Sequence, residues 1–273
     1  MKSILITGCS SGIGYDAAHT LHKRGWRVFA TCRQGVDCER LRGEGLESFV
    51  LDYGDETSIE AAVSEVLLRT GGTLDALFNN GAYAIPGATE DLPRDALRAI
   101  FEVNLFGQFD LIARLLPAMR PAGRVVNCSS VLGIAALRMR GAYCATKFAM
   151  EAMTDALRYE NYDSDMKFIS IQPGPIPTRI RANSIPHFEK WIDWENSAQR
   201  ATYEEKLIPR LYDENSGPDR FELPCSAVTD TLIKAIEAPN PKPRYMVTKA
   251  TVFTEIMRRF LPKRFLDRIY AGM

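Results

Sequence analysis

Short apolar runs alternate with longer segments of helical periodicity along most of the chain. The predicted strands lie at residues 3–7, 27–31, 47–51, 74–78, 124–128, 167–172 and 244–247. The predicted helices lie at residues 13–24, 57–70, 92–119, 141–162 and 226–238. Nearly continuous apolar runs are typical of strands buried on both faces, and strand–helix alternation favours a parallel sheet. We therefore predict an α/β protein with a doubly wound, seven-stranded parallel sheet and helices on both faces.

Length and charge narrow the possible classes of protein. The chain has 273 residues, which we expect to form a single domain over residues 1–273. Its 34 basic residues balance 34 acidic ones, so no nucleic-acid partner is indicated. No apolar run approaches the ~20 residues that cross a bilayer. The first strand leaves no room for a signal peptide, so we expect a cytoplasmic protein.

The cysteines and histidines give no sign of a metal site. The six cysteines contain no CxxC pair, and the three histidines form no ligand set. We expect reduced thiols that mostly fill the core, and no bound metal.

Residues 7–14 (TGCSSGIG) form a glycine-rich turn between the first predicted strand and the first predicted helix. Glycines let a backbone approach a pyrophosphate closely, and the free N–H groups and dipole of a helix N-terminus favour its negative charge. A glycine-rich turn alone is weak evidence, since it is common in proteins. Its position after a strand and at the start of a helix predicts a Rossmann fold that binds a dinucleotide here.

The end of the second predicted strand bears on the choice of cofactor. Sites that prefer NAD usually carry an acidic residue there, which accepts hydrogen bonds from the ribose hydroxyls. Here the strand ends in Thr31-Cys32-Arg33, and a planar guanidinium suits a 2′-phosphate. Ser10 and Ser11 in the turn can add hydroxyl donors. We therefore predict NADP(H) rather than NAD(H). The alternative is that Arg33 is an ordinary solvated charge.

Tyr143 and Lys147 are four residues apart in the predicted helix 141–162, so they share one helix face. An ammonium near a phenol favours the phenolate and lowers the phenol pKa, which makes the tyrosine usable as an acid or base near neutrality. A serine at the end of the preceding strand, Ser129 or Ser130, can hydrogen-bond the same substrate oxygen. The alternative is an ordinary pair on a helix surface, so the prediction depends on the surrounding residues.

The chain resembles the short-chain dehydrogenase/reductase family, of the classical type, from Thr7 to about Thr178. The shared motifs are the turn at 7–14, Asp52, Asn79-Asn80, Asn104, Ser130, Tyr143, Lys147 and the PGPIPT stretch at 173–178. Within the family, the TGCSSG and YCATK stretches are similar to those of hydroxysteroid and retinol dehydrogenases. So many motifs in this order and spacing are specific to the family, which has the Rossmann fold predicted above.

The resemblance implies catalytic roles for four residues. Tyr143 would be the general acid in reduction and the base in oxidation, while Lys147 would lower its pKa and hold the nicotinamide ribose. Ser130 would orient the reacting oxygen. We prefer it to Ser129 because it lies thirteen residues before the tyrosine, as the family's catalytic serine commonly does. Asn104 would help to hold a proton-relay water through its local backbone geometry.

The resemblance also implies the cofactor contacts. The turn would wrap the pyrophosphate, Asp52 would meet the adenine and Asn79 would lie along the adenosine ribose. Ile176 and Thr178 would touch the nicotinamide carboxamide and the adjoining phosphate. The predicted cofactor-binding residues are Gly8, Ser10, Ser11, Gly12, Ile13, Gly14, Arg33, Asp52, Asn79, Tyr143, Lys147, Pro173, Gly174, Ile176 and Thr178.

Two stretches depart from the family pattern. The family usually reads Asn-Asn-Ala-Gly where this chain has NNGA at 79–82, so we expect a different local turn. Pro175 and Pro177 stiffen the backbone after Gly174, which we expect to restrict movement of the segment over the cofactor.

Residues 179–225 lack family motifs and are expected to cover the substrate pocket as a lid, with a loop at 213–219. Their aromatic content favours a bulky apolar substrate, such as a steroid- or retinoid-like ketone or aldehyde. The alternative is that these aromatic side chains only pack the lid onto the body of the protein. They are Phe188, Trp191, Trp194, Tyr203 and Tyr212.

Residues 251–273 form an amphipathic C-terminal segment, which we expect Pro262 to break in two. Its apolar residues recur at helical spacing, and its charges are mostly basic. Such a segment packs on the body of the protein or on another subunit, or it lies on an anionic membrane, and we favour packing. The residues concerned are Val252, Phe253, Ile256, Met257, Phe260 and Leu261, with Lys249, Arg258, Arg259, Lys263, Arg264 and Arg268.

The resemblance implies an NADP(H)-dependent carbonyl reductase or alcohol dehydrogenase that transfers a hydride between nicotinamide and a carbonyl or secondary alcohol. One alternative is a non-catalytic, NADP-sensing binding protein. Such a protein would be expected to lack Ser130, Tyr143 or Lys147, whereas this chain keeps all three. The other alternative is a lyase or epimerase on the same fold. Members of the family are commonly homodimers or homotetramers, and we expect one of these assemblies here.

Overall fold

The computed structural model describes residues 1–213 and 217–272. At its centre is a seven-stranded sheet of order β3-β2-β1-β4-β5-β6-β7, in which all neighbouring strands are parallel. The predicted doubly wound sheet is therefore confirmed. The strands are β1 (Ser3–Ile6), β2 (Arg27–Cys32), β3 (Glu47–Val50), β4 (Ala76–Asn79), β5 (Arg124–Cys128), β6 (Lys167–Gln172) and β7 (Arg244–Met246).

Helices follow the strands and cover both faces of the sheet. They are α1 (Gly12–Lys23), α2 (Gly35–Gly43), α3 (Glu56–Thr70), α4 (Arg94–Phe101), α5 (Gly107–Met119), α6 (Gly141–Glu160), α7 (Ile180–Trp191), α8 (Arg200–Thr202), α9 (Ile208–Tyr212), α10 (Cys225–Glu237), α11 (Lys249–Phe260) and α12 (Lys263–Ala271). Among the described residues, no helix has both the length and the hydropathy needed to span a bilayer.

Strand β1 is apolar at consecutive positions because helices cover both of its faces. Ile4 and Ile6 pack against side chains of α1, α2 and α10 on one face of the sheet. Leu5 packs against α3 and α5 on the other face. All three side chains are fully buried. Because successive side chains of a strand point to opposite faces, a strand between two helical layers needs apolar residues at every position.

Two helical segments differ from the prediction. Helix α2 was not predicted, because only Cys38 and Leu41 of its residues are buried and the rest carry no apolar periodicity. The long helix predicted at 92–119 is divided into α4 and α5 by a π-helical turn at Glu102–Phe106. Pro93 precedes the first helical residue instead of lying in the first turn.

The lid helices α7 to α9 pack on a third apolar cluster beside the sheet. Phe188, Tyr203 and Leu211 of the lid are buried there with Ala142 and Tyr143 at the start of α6. Of the loop predicted at 213–219, residues 214–216 lie outside the described part of the chain, and 217–219 have no regular secondary structure.

Tyr203 anchors the lid to the segment after β4. Its hydroxyl donates to Asp91 Oδ2 at 2.6 Å and accepts from the Ala88 N–H at 2.7 Å. Ser197 also donates to Asp91 Oδ2, at 2.6 Å. The Tyr203 side chain is fully buried, and its hydroxyl satisfies the buried Ala88 N–H.

Tyr203→Phe is expected to lower the free energy of unfolding by roughly 1–3 kcal/mol, because it leaves the buried Ala88 N–H unpaired and removes one of the two hydrogen bonds to Asp91 Oδ2. Urea unfolding followed by circular dichroism measures the change. Tyr212→Phe is the matched control, since that hydroxyl bonds Glu189 at 2.8 Å from a side chain that is 44% exposed. Equal losses in the two variants would contradict a role for Tyr203 as the anchor.

Candidate active site

The predicted site residues meet where the parallel strands β1, β4, β5 and β6 end. The glycine-rich turn follows β1, Asn80 follows β4, Ser130 follows β5 and Pro173 follows β6. Backbone bonds join these ends, since the Val131 N–H donates to the Pro173 carbonyl at 2.7 Å. The side chain of Asn80 donates to the carbonyls of Thr7 and Gly8 at 3.0 and 3.2 Å. Ligands of doubly wound sheets bind at this edge.

The glycine-rich turn requires its glycines for two reasons. Gly8 and Gly12 have φ of +68° and +61°, a region that other residues rarely adopt. A Cβ at Gly14 would lie 2.4 Å from the Gly8 carbonyl oxygen and 2.7 Å from Asn80 Nδ2. A Cβ at Gly8 would lie 2.7 Å from the Cα of Gly81. Gly81, where the chain departs from the family pattern, thus lies at the point where the turn after β4 touches the glycine-rich turn after β1.

The N-terminus of α1 is suited to an anion. Ser11, the N-cap residue, makes no side-chain capping bond, so that side chain does not occupy the first N–H groups of the helix. Ser10 and Ser11 are partly exposed beside them. Free N–H groups, a helix dipole and glycines with positive φ fit the pyrophosphate of a dinucleotide.

The PGPIPT stretch at residues 173–178 lies against the glycine-rich turn at residues 7–14. A Cβ at Gly12 would lie 3.1 Å from Thr178 Cγ2, so these two residues are neighbours. Ile176 packs on the apolar cluster that contains α1. A Cβ at Gly174 would lie 2.1 Å from Thr248 Oγ1, which explains the glycine at that position. The structure therefore brings together the two stretches from which cofactor contacts were predicted.

Arg33 is exposed at the end of β2, and none of the described residues forms an ion pair with it. Burial lowers the pKa of His187 in the lid, and the charges of Arg33 and Lys190 add to that shift.

A second arginine was missed because α2 was not predicted. Arg40 donates to the Ser10 carbonyl at 2.7 Å, so its guanidinium lies at the glycine-rich turn. Two cations thus flank this end of the site.

Asn79 and Asp52 differ in how far they reach the site. Asn79 is fully buried, accepts from the Tyr53 hydroxyl at 2.6 Å and donates to Asn127 Oδ1 at 3.0 Å. Both ends of its side-chain amide are thus engaged inside the protein, and a contact with the ribose would have to come from its backbone. Asp52 is partly exposed at the end of β3 and accepts from the Gly54 N–H at 2.9 Å. Tyr53, whose hydroxyl oxygen also lies 2.9 Å from Thr7 Oγ1, was missed because a lone tyrosine after a strand forms no pattern.

Ser130, Tyr143 and Lys147 are brought together as predicted. The Ser130 hydroxyl lies close enough to the Tyr143 phenol to lower its pKa in part, against the larger effect of burial. Lys147 Nζ lies 5.7 Å from the centroid of the Tyr143 ring and donates to the Cys128 carbonyl at 2.7 Å. The hydroxyl of Ser129 lies against Gly133 instead, where an added Cβ would be only 2.6 Å from the Ser129 oxygen. The geometry therefore favours Ser130 over Ser129 as the serine beside the phenol.

The resemblance implies that Lys147 lowers the pKa of Tyr143, but burial sets the direction of the net shift in this structure. Burial raises the pKa of the Tyr143 phenol well above its ordinary value, and the Ser130 hydroxyl only partly opposes that shift. Burial also lowers the pKa of the Lys147 ammonium, against the nearby charges of Cys128 and Glu151. Desolvation disfavours the charged form of both groups, and it is the largest cause of both shifts.

Asn104 lies in the π-helical turn between α4 and α5. It is fully buried, accepts from the Tyr83 N–H at 3.1 Å, and donates to the Tyr83 carbonyl at 2.8 Å and to Thr146 Oγ1 at 3.3 Å. It thereby ties the segment after β4 to the helix that carries Tyr143. A π turn changes the hydrogen-bonding pattern of the helix and often marks a functional site.

The aromatic residues of the lid have different surroundings. Phe188 and Tyr203 are buried packing residues, Trp191 and Trp194 are partly buried, and Tyr212 is exposed. Sequence analysis missed that His187 of α7 stacks on Tyr83, with ring centroids 4.0 Å apart. The alternative that the aromatic side chains only pack the lid onto the body of the protein therefore applies to Phe188 and Tyr203.

Comparisons with known proteins agree on one family. The family model described as short chain dehydrogenase matches residues 2–188. The chain is 38% identical to the uncharacterized oxidoreductase YbbO of Escherichia coli (strain K12) over 274 residues, which cover 99% of this chain and 94% of that protein. It is 33% identical to retinol dehydrogenase 16 of Homo sapiens over 281 residues, which cover 98% and 87% of the two chains.

A solved structure agrees with the sequence matches. The short-chain dehydrogenase from Streptomyces avermitilis superposes with a TM-score of 0.78 at 26% identity, covering 99% of this chain and 94% of the other. The resemblance inferred from the motifs is thus confirmed by a family model, by full-length relatives and by the fold. The chain belongs to the short-chain dehydrogenase family of oxidoreductases, whose members bind a nicotinamide cofactor.

Proposed function

We propose that the protein is an NADP(H)-dependent oxidoreductase that interconverts a carbonyl and the corresponding alcohol on a bulky apolar substrate. The observation that carries this proposal is the placement of Ser130, Tyr143 and Lys147 at the same edge of the sheet as the uncapped N-terminus of α1. A proton-transfer group thus shares this edge with a site that fits a dinucleotide. Neither feature alone would support oxidoreduction.

Each of the three side chains has a distinct task in this proposal. Tyr143 gives its proton to the carbonyl oxygen during reduction, and its raised pKa keeps the phenol protonated at neutral pH. Ser130 donates a hydrogen bond to the same oxygen, so that the two hydroxyls form a small clamp. Lys147, with donors beyond the one given to Cys128, holds the ribose next to the nicotinamide. The bound nicotinamide supplies or accepts the hydride.

The preference for NADP(H) rests on the charges at the end of β2. Arg33 is exposed there without an ion pair among the described residues, and no carboxylate ends the strand. Arg40 brings a second guanidinium to the glycine-rich turn. Guanidinium groups suit a phosphate by charge and by their planar arrangement of donors.

The preference for a bulky apolar substrate rests on the surroundings of Tyr143. Its ring belongs to an apolar cluster that includes Tyr83 and Ile85 after β4, and Phe188 and Leu211 from the lid. The name of retinol dehydrogenase 16, 33% identical to this chain, supports the same class of substrate. A steroid- or retinoid-like ketone or aldehyde fits both observations.

We also propose that the protein is a cytoplasmic homodimer or homotetramer. All six cysteines are free thiols, as is usual in a reducing compartment. The exposed apolar side chains of α6, among them Phe148 and Met153, offer a surface for a second subunit. Light scattering on the purified protein measures the assembly, and a single-chain mass would contradict it.

NADPH consumption, with NADH in parallel, tests the function across carbonyl compounds from small aldehydes to steroid and retinoid ketones. We expect turnover of bulky apolar carbonyls, with NADPH favoured over NADH. Cofactor binding without turnover of any compound would favour the NADP-sensing protein. Conversion of a substrate without net consumption of cofactor would favour the lyase or epimerase.

A further inference from the structure

Helix α11 is an amphipathic helix whose polar side faces the body of the protein. Thr251 is fully buried, and the side chain of Glu255 is only 13% exposed. On the opposite side, Phe253, Ile256 and Phe260 are 61%, 50% and 78% exposed. Packing on the body of the same chain was one of the alternatives for this segment, and it does not cover these side chains. An amphipathic helix normally buries its apolar face, so this face requires another explanation.

The exposed apolar side chains of α11 form a stripe, and two further exposed apolar side chains flank Pro262. Phe253, Ile256 and Phe260 are spaced at i, i+3 and i+7, which places them on one face of the helix. Leu261 at the end of α11 is 38% exposed, and Phe265 in the first turn of α12 is 56% exposed. We call these five residues the tail surface. Scattered apolar residues are normal on a protein surface, but a stripe of this kind marks an interaction site.

The charges around the tail surface are mostly positive. Residues 249–272 contain six basic and two acidic residues, whereas the whole chain has equal numbers of both. The acidic residues are already engaged, since Glu255 pairs with Arg258 and Arg259, and Asp267 pairs with Lys263. No carboxylate among the described residues pairs with Arg264 or Arg268, both exposed on α12. The partner should therefore combine an apolar interior with negative charge at its surface.

A second copy of this chain fits these charges less well. In a twofold dimer the same patch occurs on both subunits, so the basic residues of one tail would face those of the other. Five apolar side chains are also few compared with the roughly 20–30 residues that each partner contributes to a stable interface. An anionic lipid surface has no such repulsion, since its headgroups attract basic residues and its acyl chains accept phenylalanine and isoleucine.

We propose that α11 and α12 dock the enzyme on an anionic phospholipid membrane, with the tail surface inserted at the boundary between headgroups and acyl chains. The contact is peripheral and reversible. Arg264, Arg268 and the other basic residues lie at the level of the headgroups. This inference does not depend on the substrate or on the cofactor preference.

Vesicle flotation with the full-length protein tests the proposal. We expect binding to phosphatidylcholine vesicles that contain phosphatidylglycerol, weaker binding to phosphatidylcholine alone, and loss of binding as salt is raised. The double variant Phe253→Ser/Phe260→Ser should bind the anionic vesicles at least roughly tenfold less well, because burial of one such side chain contributes about ten- to a hundredfold in affinity. Arg264→Gln/Arg268→Gln should weaken binding to anionic vesicles only.

Leu68→Ser is the matched control, since Leu68 on α3 is 79% exposed, close to the 78% of Phe260. It should bind like the unaltered protein. Circular dichroism should show the same fold in all variants, because the altered side chains are exposed. The proposal is overturned if the unaltered protein binds neither vesicle, or if the double variant binds as well as it does. A self-association that the double variant abolishes, without vesicle binding, would assign the tail surface to a second copy instead.

Discussion

Tyr143→Phe is expected to lower kcat for carbonyl reduction by roughly 10³-fold, within the range of about 10²–10⁴ found for general acid–base groups. The phenylalanine ring keeps the packing of the apolar cluster around position 143 but has no proton to give. The loss should appear in kcat and kcat/KM together, because the hydroxyl acts on the reacting oxygen. Steady-state kinetics with the best carbonyl of the panel measures it.

Cofactor binding should survive the same substitution. The proposed pyrophosphate site at Gly8, Gly12 and α1 does not involve the Tyr143 hydroxyl, so the change in NADPH fluorescence on binding should be retained. Tyr159→Phe is the matched control, because Tyr159 lies on the same helix and is 66% exposed. Its kinetics should match those of the unaltered enzyme. Retained turnover in Tyr143→Phe would remove this hydroxyl from the mechanism.

Arg33→Asp is expected to change the ratio of kcat/KM for NADPH to that for NADH by roughly 100-fold or more in favour of NADH. A hydrogen bond to a charged group contributes about 1.5–3 kcal/mol, and an aspartate adds repulsion toward a 2′-phosphate. An aspartate here can also accept hydrogen bonds from the ribose hydroxyls of NADH. The two cofactors should be compared with a single carbonyl substrate, so that only the nucleotide differs.

Two further variants separate Arg33 from a general effect of charge. Arg98→Asp alters an exposed arginine on α4, whose side chain is 68% exposed, and should leave the cofactor ratio unchanged. Arg40→Gln should lower the ratio in the same direction as Arg33→Asp, because Arg40 also lies at the glycine-rich turn. If the ratio is the same in Arg33→Asp and in the unaltered enzyme, Arg33 does not reach the 2′-phosphate and the NADP(H) proposal loses its main support.

The sequence predicted the sheet well because its signal is local. The inner strands are short runs that must be apolar on both faces, and each such run is visible without knowledge of its neighbours. Helix α2 was missed because its burial depends on two residues, Cys38 and Leu41. Arg40 was missed with it, since only the course of α2 brings that side chain back to Ser10.

The candidate catalytic residues were found through motif order, but the environment that sets the pKa of Tyr143 was not. The spacing of Tyr143 and Lys147 predicts proximity, whereas the pKa of the phenol depends on how completely the surrounding chain excludes water. Asn79 is a similar case. Its position after a strand predicts a cofactor contact, but its burial between Tyr53 and Asn127 shows only in the structure.

The contact between Thr178 and Gly12 has a consequence for the order in which the protein becomes functional. The first motif is synthesised at the start of the chain, but the residue that lies against it arrives only after β6 has been made. Contacts of such long sequence separation form late, because the intervening chain must be ordered first. A nascent chain released before residue 178 would hold most of the sheet and an open nucleotide cradle. Cofactor binding therefore reports completed folding, and NADPH should protect only the finished enzyme against proteolysis.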